Sequence, residues 1–547
     1  MSTLIRKRPA PLWALLLPLA CFAAAPLVRG PIFSSSDGIL HLYQLIEFDA
    51  VLRAGVPFPR WAPDLLSGYG YPQMIFYAPL MYYLASAFHF VGLGYVDALK
   101  ATVLAGMVAS EAGMFVLGRE LWGRWGGLLA AVAYLYFPYR LVNTYLDGEL
   151  SQTLAWAWLP GLVWACWRFL RSGGRGHWLL AAACWAGLIY THSVTSWLTA
   201  MFLGLLLLAW LALREARLLD ELYLVGALAL GTGLAAPYWL PALAEAGFVQ
   251  LGRVQTGSYD FHVNLLPLGR VLSTELAHGY SGYVGANGPA QLGLLQLLAG
   301  ATGLVAGIAA CRGKAARLAA PFAALSLVAI VLMLEPAAPF WEHVPFGSAL
   351  QFPDRLLGML GFLLAVLAGA AGLWLRRLPT IPAALLAVAA CAALIYAATA
   401  RLNPAFVALP SSLSVADAAE SDQSTGAIAT TAKGEYTPIW MPAPLATSPL
   451  LPGYLTGRTP SIAAPGGAEI TLLQHAPSDV GLAVSAPSAG IVELPVTYYP
   501  GWTASRSGAT VPVEPSKRGL IAVDLPAGQS DLQLHFGSTS DRRLATA

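Results

Sequence analysis

The sequence predicts an α-helical polytopic membrane protein whose chain ends in a β-rich domain, and three observations predict it. Of the 547 residues, 57% are hydrophobic and only 11% charged, against roughly 25% charged in soluble domains. Apolar runs of about 20 residues, the length that crosses a bilayer core, recur as far as residue 400. Beyond Arg401, Ser, Pro, Thr and Gly replace Leu and Ala, and short alternating runs follow.

Spans are expected near residues 10–29, 98–118, 125–143, 152–170, 177–194, 196–213, 221–241, 290–311, 316–334, 355–375 and 381–400, about eleven in all. With the basic Arg6, Lys7 and Arg8 held inside, the inward loops contain Arg119 and Arg124; Arg168, Arg171 and Arg175; Arg214 and Arg217; Arg312, Lys314 and Arg317; and Arg376 and Arg377. Each is short and basic, as the positive-inside rule requires. The N-terminus is therefore expected in the cytoplasm, and the tail outside the cytoplasmic (inner) membrane. Segment 74–93 is apolar enough to span, yet a crossing there would invert every later loop. Its aromatics, Phe76, Tyr77, Tyr82, Tyr83, Phe88 and Phe90, suit the headgroup boundary, so it is read as lying along or dipping into the outer interface, with a crossing that makes twelve spans as the alternative.

Two domains follow: a transmembrane domain over 1–400, with its first outer loop and juxtamembrane helices at 30–97, and an outward-facing, sandwich-like β domain over 401–547. Strands are expected at 469–473, 481–485, 491–498, 510–513, 519–525 and 531–536, with a flexible linker at 411–431.

Composition also excludes classes. A net charge of +2 shows no basic excess for nucleic acid. Cys21, Cys166, Cys184, Cys311 and Cys391 lie in apolar runs without CxxC spacing, which argues against a disulfide framework, a zinc site or a thiol nucleophile. No GxxxxGK[ST], GxSxG, HExxH or strand-linked GxGxxG pattern occurs, so nucleotide hydrolysis, serine hydrolysis and zincin chemistry have no support.

The unusual residues sit in the outer segments. The first opens with Ser34, Ser35, Ser36, Asp37 and Gly38. Asp37 stands at an N-cap position, and an amphipathic interfacial helix to about Ala54 is the plain reading. His41, four residues on, shares its helix face, so a carboxylate and an imidazole could converge as a base with its orienter or as metal ligands. The second outer turn carries Asp147 and Glu149 between two spans, where carboxylates are costly unless paired or functional. A solvated turn is the competing reading. His192 stands where one apolar helix ends and the next begins, facing a cavity or bonding a neighbouring helix. Asp260 and His262 belong to a larger outer loop, as do Glu342 and His343. Arg355, at the mouth of a span, suits a phosphate, because guanidinium binds phosphate oxygens in a fork; snorkelling is its alternative.

Several motifs together carry a family resemblance. They are Asp37-Gly38-Ile39-Leu40-His41; Pro59-Arg60-Trp61-Ala62-Pro63-Asp64-Leu65 with Gly68-Tyr69-Gly70-Tyr71-Pro72; Phe137-Pro138-Tyr139-Arg140 leading to Asp147-Gly148-Glu149; Thr191-His192-Ser193; and Gln351-Phe352-Pro353-Asp354-Arg355. The tail adds Tyr499-Pro500-Gly501-Trp502, Gly519-Leu520-Ile521 and Leu525-Pro526-Ala527-Gly528. Over nearly its whole length the sequence resembles the GT-C superfamily of membrane glycosyltransferases. Within that superfamily it is similar to the bacterial YfhO-like membrane proteins, some described as 6-pyruvoyl-tetrahydropterin-synthase related. The pterin label implies a soluble fold that this hydropathy does not accommodate.

The resemblance implies an inverting transferase that uses a polyprenyl-phosphate-linked sugar, with an essential acid in the first outer loop. By position that acid is Asp37, and the second-loop acid is Asp147 with Glu149 beside it. Many such proteins pair two acids in the first loop, whereas Asp37 precedes Gly38 and has only His41 nearby. Asp37, His41, Asp147 and Glu149 are thus the expected catalytic residues. Arg140, His192, Asp260, His262 and Arg355 are expected to bind substrate, with Arg140 or Arg355 meeting the leaving phosphate. The sequence names no cofactor, and a divalent cation, Mg or Mn, is a candidate that Asp37 and Asp147 could hold. The expected partners are the lipid-linked sugar, membrane lipid, and a glycan, lipid or protein acceptor. A non-catalytic scaffold and a lipid or polysaccharide transporter stand as alternatives.

Overall fold

Of the apolar runs, five fold as helices long and apolar enough to cross a bilayer among the described residues: Tyr95–Trp122, Ser193–Ala212, Lys314–Met333, Pro353–Leu375 and Thr380–Leu402. The broken pair Leu218–Leu234 and Ala236–Ala244 makes a sixth if counted together, and Leu12–Ala23 and Leu294–Ala309 are shorter apolar helices. The computed structural model describes residues 12–272, 292–310, 313–409, 413–414, 417–418, 421–422, 426–445, 448–450, 453 and 461–546. Arg6, Lys7, Arg8, Cys311 and Arg312 lie outside them, as do parts of the expected 10–29 and 290–311 spans, of the loop expected between the 221–241 and 290–311 spans, and of the 411–431 linker.

The count of about eleven expected spans is therefore not what helix length gives, and the physical reason is breakage. The two spans expected at 125–143 and 152–170 are cut into Arg124–Leu135, Pro138–Val142, one wide turn at Asn143–Asp147, Leu150–Ala155 and Trp158–Ser172. Pro138 lacks the N–H that would continue the first helix. Segment 74–93 forms Gln73–Phe76 and Leu80–Phe90, and the longer of these, at 1.5 Å per residue, is roughly half of a ~30 Å hydrocarbon core.

Two compact units emerge. The first holds 1–38, 100–233 and 257–408; the second holds 39–99, 234–256 and 409–547. The chain passes between them at Gly38–Ile39, Leu99–Lys100, Gly233–Leu234, Thr256–Gly257 and Ala408–Leu409.

In the first unit, helix Leu356–Gly369 is buried along its whole length. Small residues let its neighbours approach. A Cβ on Gly303 would lie 1.8 Å from the Leu367 carbonyl oxygen, so backbone meets backbone there, as in lipid-embedded helix pairs. Helix Thr380–Ala398 leaves Ile381, Leu385, Leu386, Val388 and Tyr396 exposed, an apolar face of the kind that lipid covers. Four loops expected on the inner face are joined by ion pairs: Arg171 meets Glu215 at 2.5 Å, Arg317 meets Glu215 at 3.6 Å, and Arg168 meets Glu120 at 3.1 Å.

Two strands of the first unit, β1 (Ile32–Phe33) and β2 (Phe406–Val407), pair antiparallel. The second unit carries β3 (Ser461–Ala463), β4 (Glu469–His475), β5 (Asp479–Ala486), β6 (Gly490–Thr497), β7 (Trp502–Arg506), β8 (Ala509–Val511), β9 (Glu514–Pro515), β10 (Leu520–Leu525) and β11 (Gly528–Phe536). They form a six-stranded sheet in the order β3-β4-β5-β11-β7-β8 and a three-stranded sheet in the order β6-β10-β9. Strand β11 alternates inward Leu532 and Leu534 with outward Asp531 and Gln533, the period of two that marks a half-buried strand. The tail expected to be β is β. Strand β7, whose Thr-Ala-Ser-Arg run has few apolar residues, was not among the expected strands.

Helix Gly38–Arg53 matches its expected range, but residues 41–49 are all buried rather than split between a wet and a dry face. The amphipathic expectation is corrected: this helix lies inside protein. In the same unit, Glu245 accepts from Arg542 Nε and Nη2, both at 2.8 Å, and from the Tyr499 hydroxyl at 3.0 Å. Both charged side chains are buried. This pair ties helix Ala236–Ala244 to the terminal helix Ser540–Thr546.

Candidate active site

After β1, the chain is laced backbone to backbone onto the second outer turn. Ser36 N–H donates to the Leu146 carbonyl at 3.2 Å, and Asp37 N–H donates to the Asp147 carbonyl at 2.9 Å. That turn is closed by Gly148 at φ +74°, a left-handed conformation. A Cβ there would lie 2.5 Å from both Gly38 N and Ser35 Oγ, so the lacing needs glycine for both its angle and its space. Asn143 steadies the turn, its carbonyl accepting from Glu149 N–H at 3.1 Å. Two segments more than a hundred residues apart in sequence thus place Asp37 beside Asp147.

A third segment joins them. Arg355 Nη2 lies 3.3 Å from Glu149 Oε1, while its Nη1 donates to the Leu350 carbonyl and to Gln351 Oε1, each at 3.1 Å. The guanidinium also sits 5.3 Å from the centre of the Phe352 ring. Asp354 is the addition that sequence reasoning missed: it acts electrostatically on Asp147 and on Arg270. An acid beside Arg355 at a helix mouth was visible in the sequence, but only the arginine was weighed; nothing in the sequence pointed to Arg270. Asp37, Asp147, Glu149, Asp354 and Arg355 are each half-buried, within reach of solvent.

Burial, then the neighbouring Asp354, Glu149 and Asp37 carboxylates, push the Asp147 carboxyl well above the usual carboxylate range, and Arg355 opposes them. A folded-state value raised in this way favours the protonated form. The associated stability is complete at pH values below the ordinary carboxylate range and is lost as pH rises through the raised value. Asp147→Asn, which cannot ionise, should therefore gain thermal stability over the parent as pH is taken from 5 to 8. A stability difference that stays flat across that range would contradict the placement of Asp147 among other carboxylates.

The remaining expected residues are placed differently. Arg140 is buried, its Nη1 donating to the Tyr134 carbonyl at 3.0 Å and Nη2 to Ser110 Oγ at 2.9 Å, with the Tyr134 ring 4.0 Å away. Its fork is committed to the helix core, not to the mouth of the site. His192 caps helix Ser193–Ala212, its Nδ1 accepting from Thr195 N–H at 3.1 Å. His262 bridges Asp260 at 2.7 Å and Glu342 at 3.1 Å on the protein surface. The side-chain bonds to Asp260 and Glu342 raise its pKa. Asn264 Nδ2 joins this loop to the Gln351 carbonyl at 3.1 Å, next to the segment that carries Arg355. His41 belongs to the second unit, where its Nδ1 meets the Tyr82 hydroxyl at 2.8 Å.

The acidic residues do not meet the test for a divalent cation: among the described residues, no group of three or more His, Cys, Asp or Glu side chains is arranged to hold a metal. The cation expected at Asp37 and Asp147 has no such donor set here.

The model of the family described as "6-pyruvoyl-tetrahydropterin synthase related domain; membrane protein" matches residues 74–407, more than half of the chain. The chain belongs to this family. As a member of the 6-pyruvoyl-tetrahydropterin synthase related membrane proteins, it contains both the second outer turn and the Arg355 mouth within the matched region. An uncharacterized protein of Lactococcus lactis subsp. cremoris (strain MG1363) is 24% identical over 240 residues, covering 42% of this chain and 39% of that protein's length. The chain thus spans well under half of that relative. Among solved structures, arabinofuranosyltransferase AftD from Mycobacteria aligns at a TM-score of 0.50 and 18% identity, covering 96% of this chain and 40% of that one. At that identity the likeness shows a shared fold. The archaeal oligosaccharyltransferase AglB from Archaeoglobus fulgidus, solved with an inhibitory peptide and a dolichol-phosphate, aligns at 0.43 and 13% identity, covering 75% of this chain and 58% of that one.

Proposed function

We propose that this family member is a membrane glycosyltransferase that moves a sugar from a polyprenyl-phosphate donor to an acceptor hydroxyl on the outer face of the cytoplasmic membrane. The observation that carries the reading is the laced turn, in which Asp37 and Asp147 lie side by side with Glu149 and Arg355 adjoining. The fold shared with AftD supports it. In the proposed step the Asp37 carboxylate takes the acceptor's hydroxyl proton, and the freed oxygen attacks the anomeric carbon. A new C–O bond forms as the bond to phosphate breaks, polyprenyl phosphate leaves with the electron pair, and the anomeric configuration inverts. Asp147, held towards its protonated form, offers an O–H donor near the reacting groups. Arg355 presents a half-buried guanidinium to the departing phosphate.

The test uses membranes containing the full chain, incubated with radiolabelled polyprenyl-phosphate sugars. Label should appear in an acceptor fraction only when the protein is present. Arg355→Ala should lower turnover by about 10²-fold or more while the protein inserts normally, in the range seen on removing one donor that stabilises developing charge. Unchanged transfer by that variant removes Arg355 from the mechanism, and no transfer with any donor by the parent protein removes the reading itself.

A further inference from the structure

The second unit contains a small cleft of its own, apart from the acidic residues described above. Its interior walls are Phe48, Leu65 and Tyr82, all buried, and its mouth is formed by the half-exposed Met74 and Tyr77. Of the polar residues that also line it, Gln44 is bonded at both ends, its Nε2 donating to the Thr430 carbonyl and its Oε1 accepting from the Tyr82 hydroxyl, while Glu47 and Gln73 are almost fully buried, at 1% and 3% exposure. One half of each of these two is accounted for. Glu47 Oε1 accepts from Asp64 N–H at 2.9 Å, and Gln73 Oε1 accepts from Thr430 Oγ1 at 3.3 Å. The other half is not: Glu47 Oε2 and Gln73 Nε2 have no hydrogen-bond partner among the described residues. Buried polar atoms in this condition are uncommon in folded proteins and call for a ligand or a water.

The chemistry of the cleft narrows the ligand. No lysine or arginine lines it, so an anion finds no counter-charge. Burial, followed by the Asp64 carboxylate, pushes the Glu47 carboxyl well above the usual range, which disfavours the anion that a cationic ligand would need. An acyl chain would leave both polar atoms unsatisfied. A neutral hydroxyl satisfies both, its oxygen accepting from Gln73 Nε2 and from the proton that the neutral Glu47 carboxyl carries on Oε2. In its present shape the cleft has room for about one water-sized group, the size of a hydroxyl rather than of a sugar ring. The half-exposed Tyr77 at the mouth offers an aromatic surface for the C–H face of a ring left outside.

We propose that this cleft is a binding subsite for a neutral saccharide, entered by one hydroxymethyl arm that takes its hydrogen bonds from Glu47 and Gln73 while the ring rests at Tyr77. The same chemistry is offered by the glycerol headgroup of a lipid, and the experiment separates the two. Full-length protein in phosphatidylcholine nanodiscs is titrated with a methyl hexopyranoside and followed by saturation-transfer difference NMR. The glycoside should bind, and its 6-deoxy analogue, lacking the primary hydroxyl, should bind about tenfold more weakly. Met74→Trp, a change at the half-exposed mouth, should abolish the signal, and Gln73→Met, which keeps the volume and removes the donor, should weaken binding about tenfold. Asp37→Asn should leave binding intact, so a failure here is distinct from a failure of the transfer reading. Absence of glycoside binding, equal binding of the 6-deoxy sugar, or an unaltered signal in a folded Met74→Trp protein overturns the proposal. So does preferential binding of tetramethylammonium, or displacement of the sugar by phosphatidylglycerol in the disc.

Discussion

Asp37→Asn is expected to reduce sugar transfer by about 10²- to 10⁴-fold, the usual weight of a positioned general base, with expression and insertion unchanged. The carboxamide keeps the shape of the side chain and leaves the backbone lacing to Asp147 untouched, because that bond uses the Asp37 N–H. What it loses is the ability to accept a proton from the acceptor hydroxyl. A second consequence distinguishes a damaged site from a damaged fold. The Asp37 charge is one of those that push Asp147 up, so removing it should bring the Asp147 carboxyl back towards its ordinary range. The variant should then be no less stable than the parent above neutral pH, by the same sign as for Asp147→Asn. Turnover equal to the parent's in the radiolabelled assay would remove Asp37 from the chemistry. Lost turnover accompanied by a large drop in thermal stability would assign it a structural role.

The largest expected effect on stability lies elsewhere, at Arg542. Its guanidinium makes a two-pronged bond to Glu245, donates to the Gly537 carbonyl at 3.2 Å and the Pro500 carbonyl at 3.0 Å, and rests 4.6 Å from the Phe536 ring centre. Neither partner is exposed to more than a trace of solvent. Removing one member of such a pair strands the other as a buried charge, and the cost is about 3–5 kcal/mol. Arg542→Ala should therefore lower the unfolding temperature of the full chain on the order of 10 °C. Lysine at this position carries the charge without the fork and should restore little. The double change Arg542→Met with Glu245→Leu should recover most of the loss, because no charge is left buried. Thermal unfolding of the purified protein in detergent decides it, and a shift within the scatter of surface substitutions would contradict the network.

The charged turns between the apolar runs were legible from hydropathy, because carboxylates beside lipid are rare enough to stand out. Asp147 and Glu149 were named on that basis, Asp37 for its cap position beside His41, and Arg355 for the match of guanidinium to phosphate; the structure brings the segments of Asp37, Asp147, Glu149 and Arg355 together. Their company was not legible. Asp354 acts on Asp147, and Arg355 reaches Glu149, across a sequence separation of about two hundred residues, and no local pattern encodes such a meeting. Arg140 illustrates the reverse. It was read as a ligand for the leaving phosphate, yet its partners are Tyr134 and Ser110 within the bundle. Similarly, the alternation that reveals β11 is clear because one face is buried, whereas β7 has too few apolar side chains to show a period.

By itself, the sequence determined that this protein belongs in lipid, that its tail is β, and which turns carry charge. Those are consequences of side-chain solubility and of repeats along a single element, and both are local. Only the tertiary structure decided that two turns are stitched at Gly148, that long apolar runs break into short helices, and that Glu245 finds Arg542. Each of those depends on how closely two distant backbones approach, and that distance is set by every side chain packed between them.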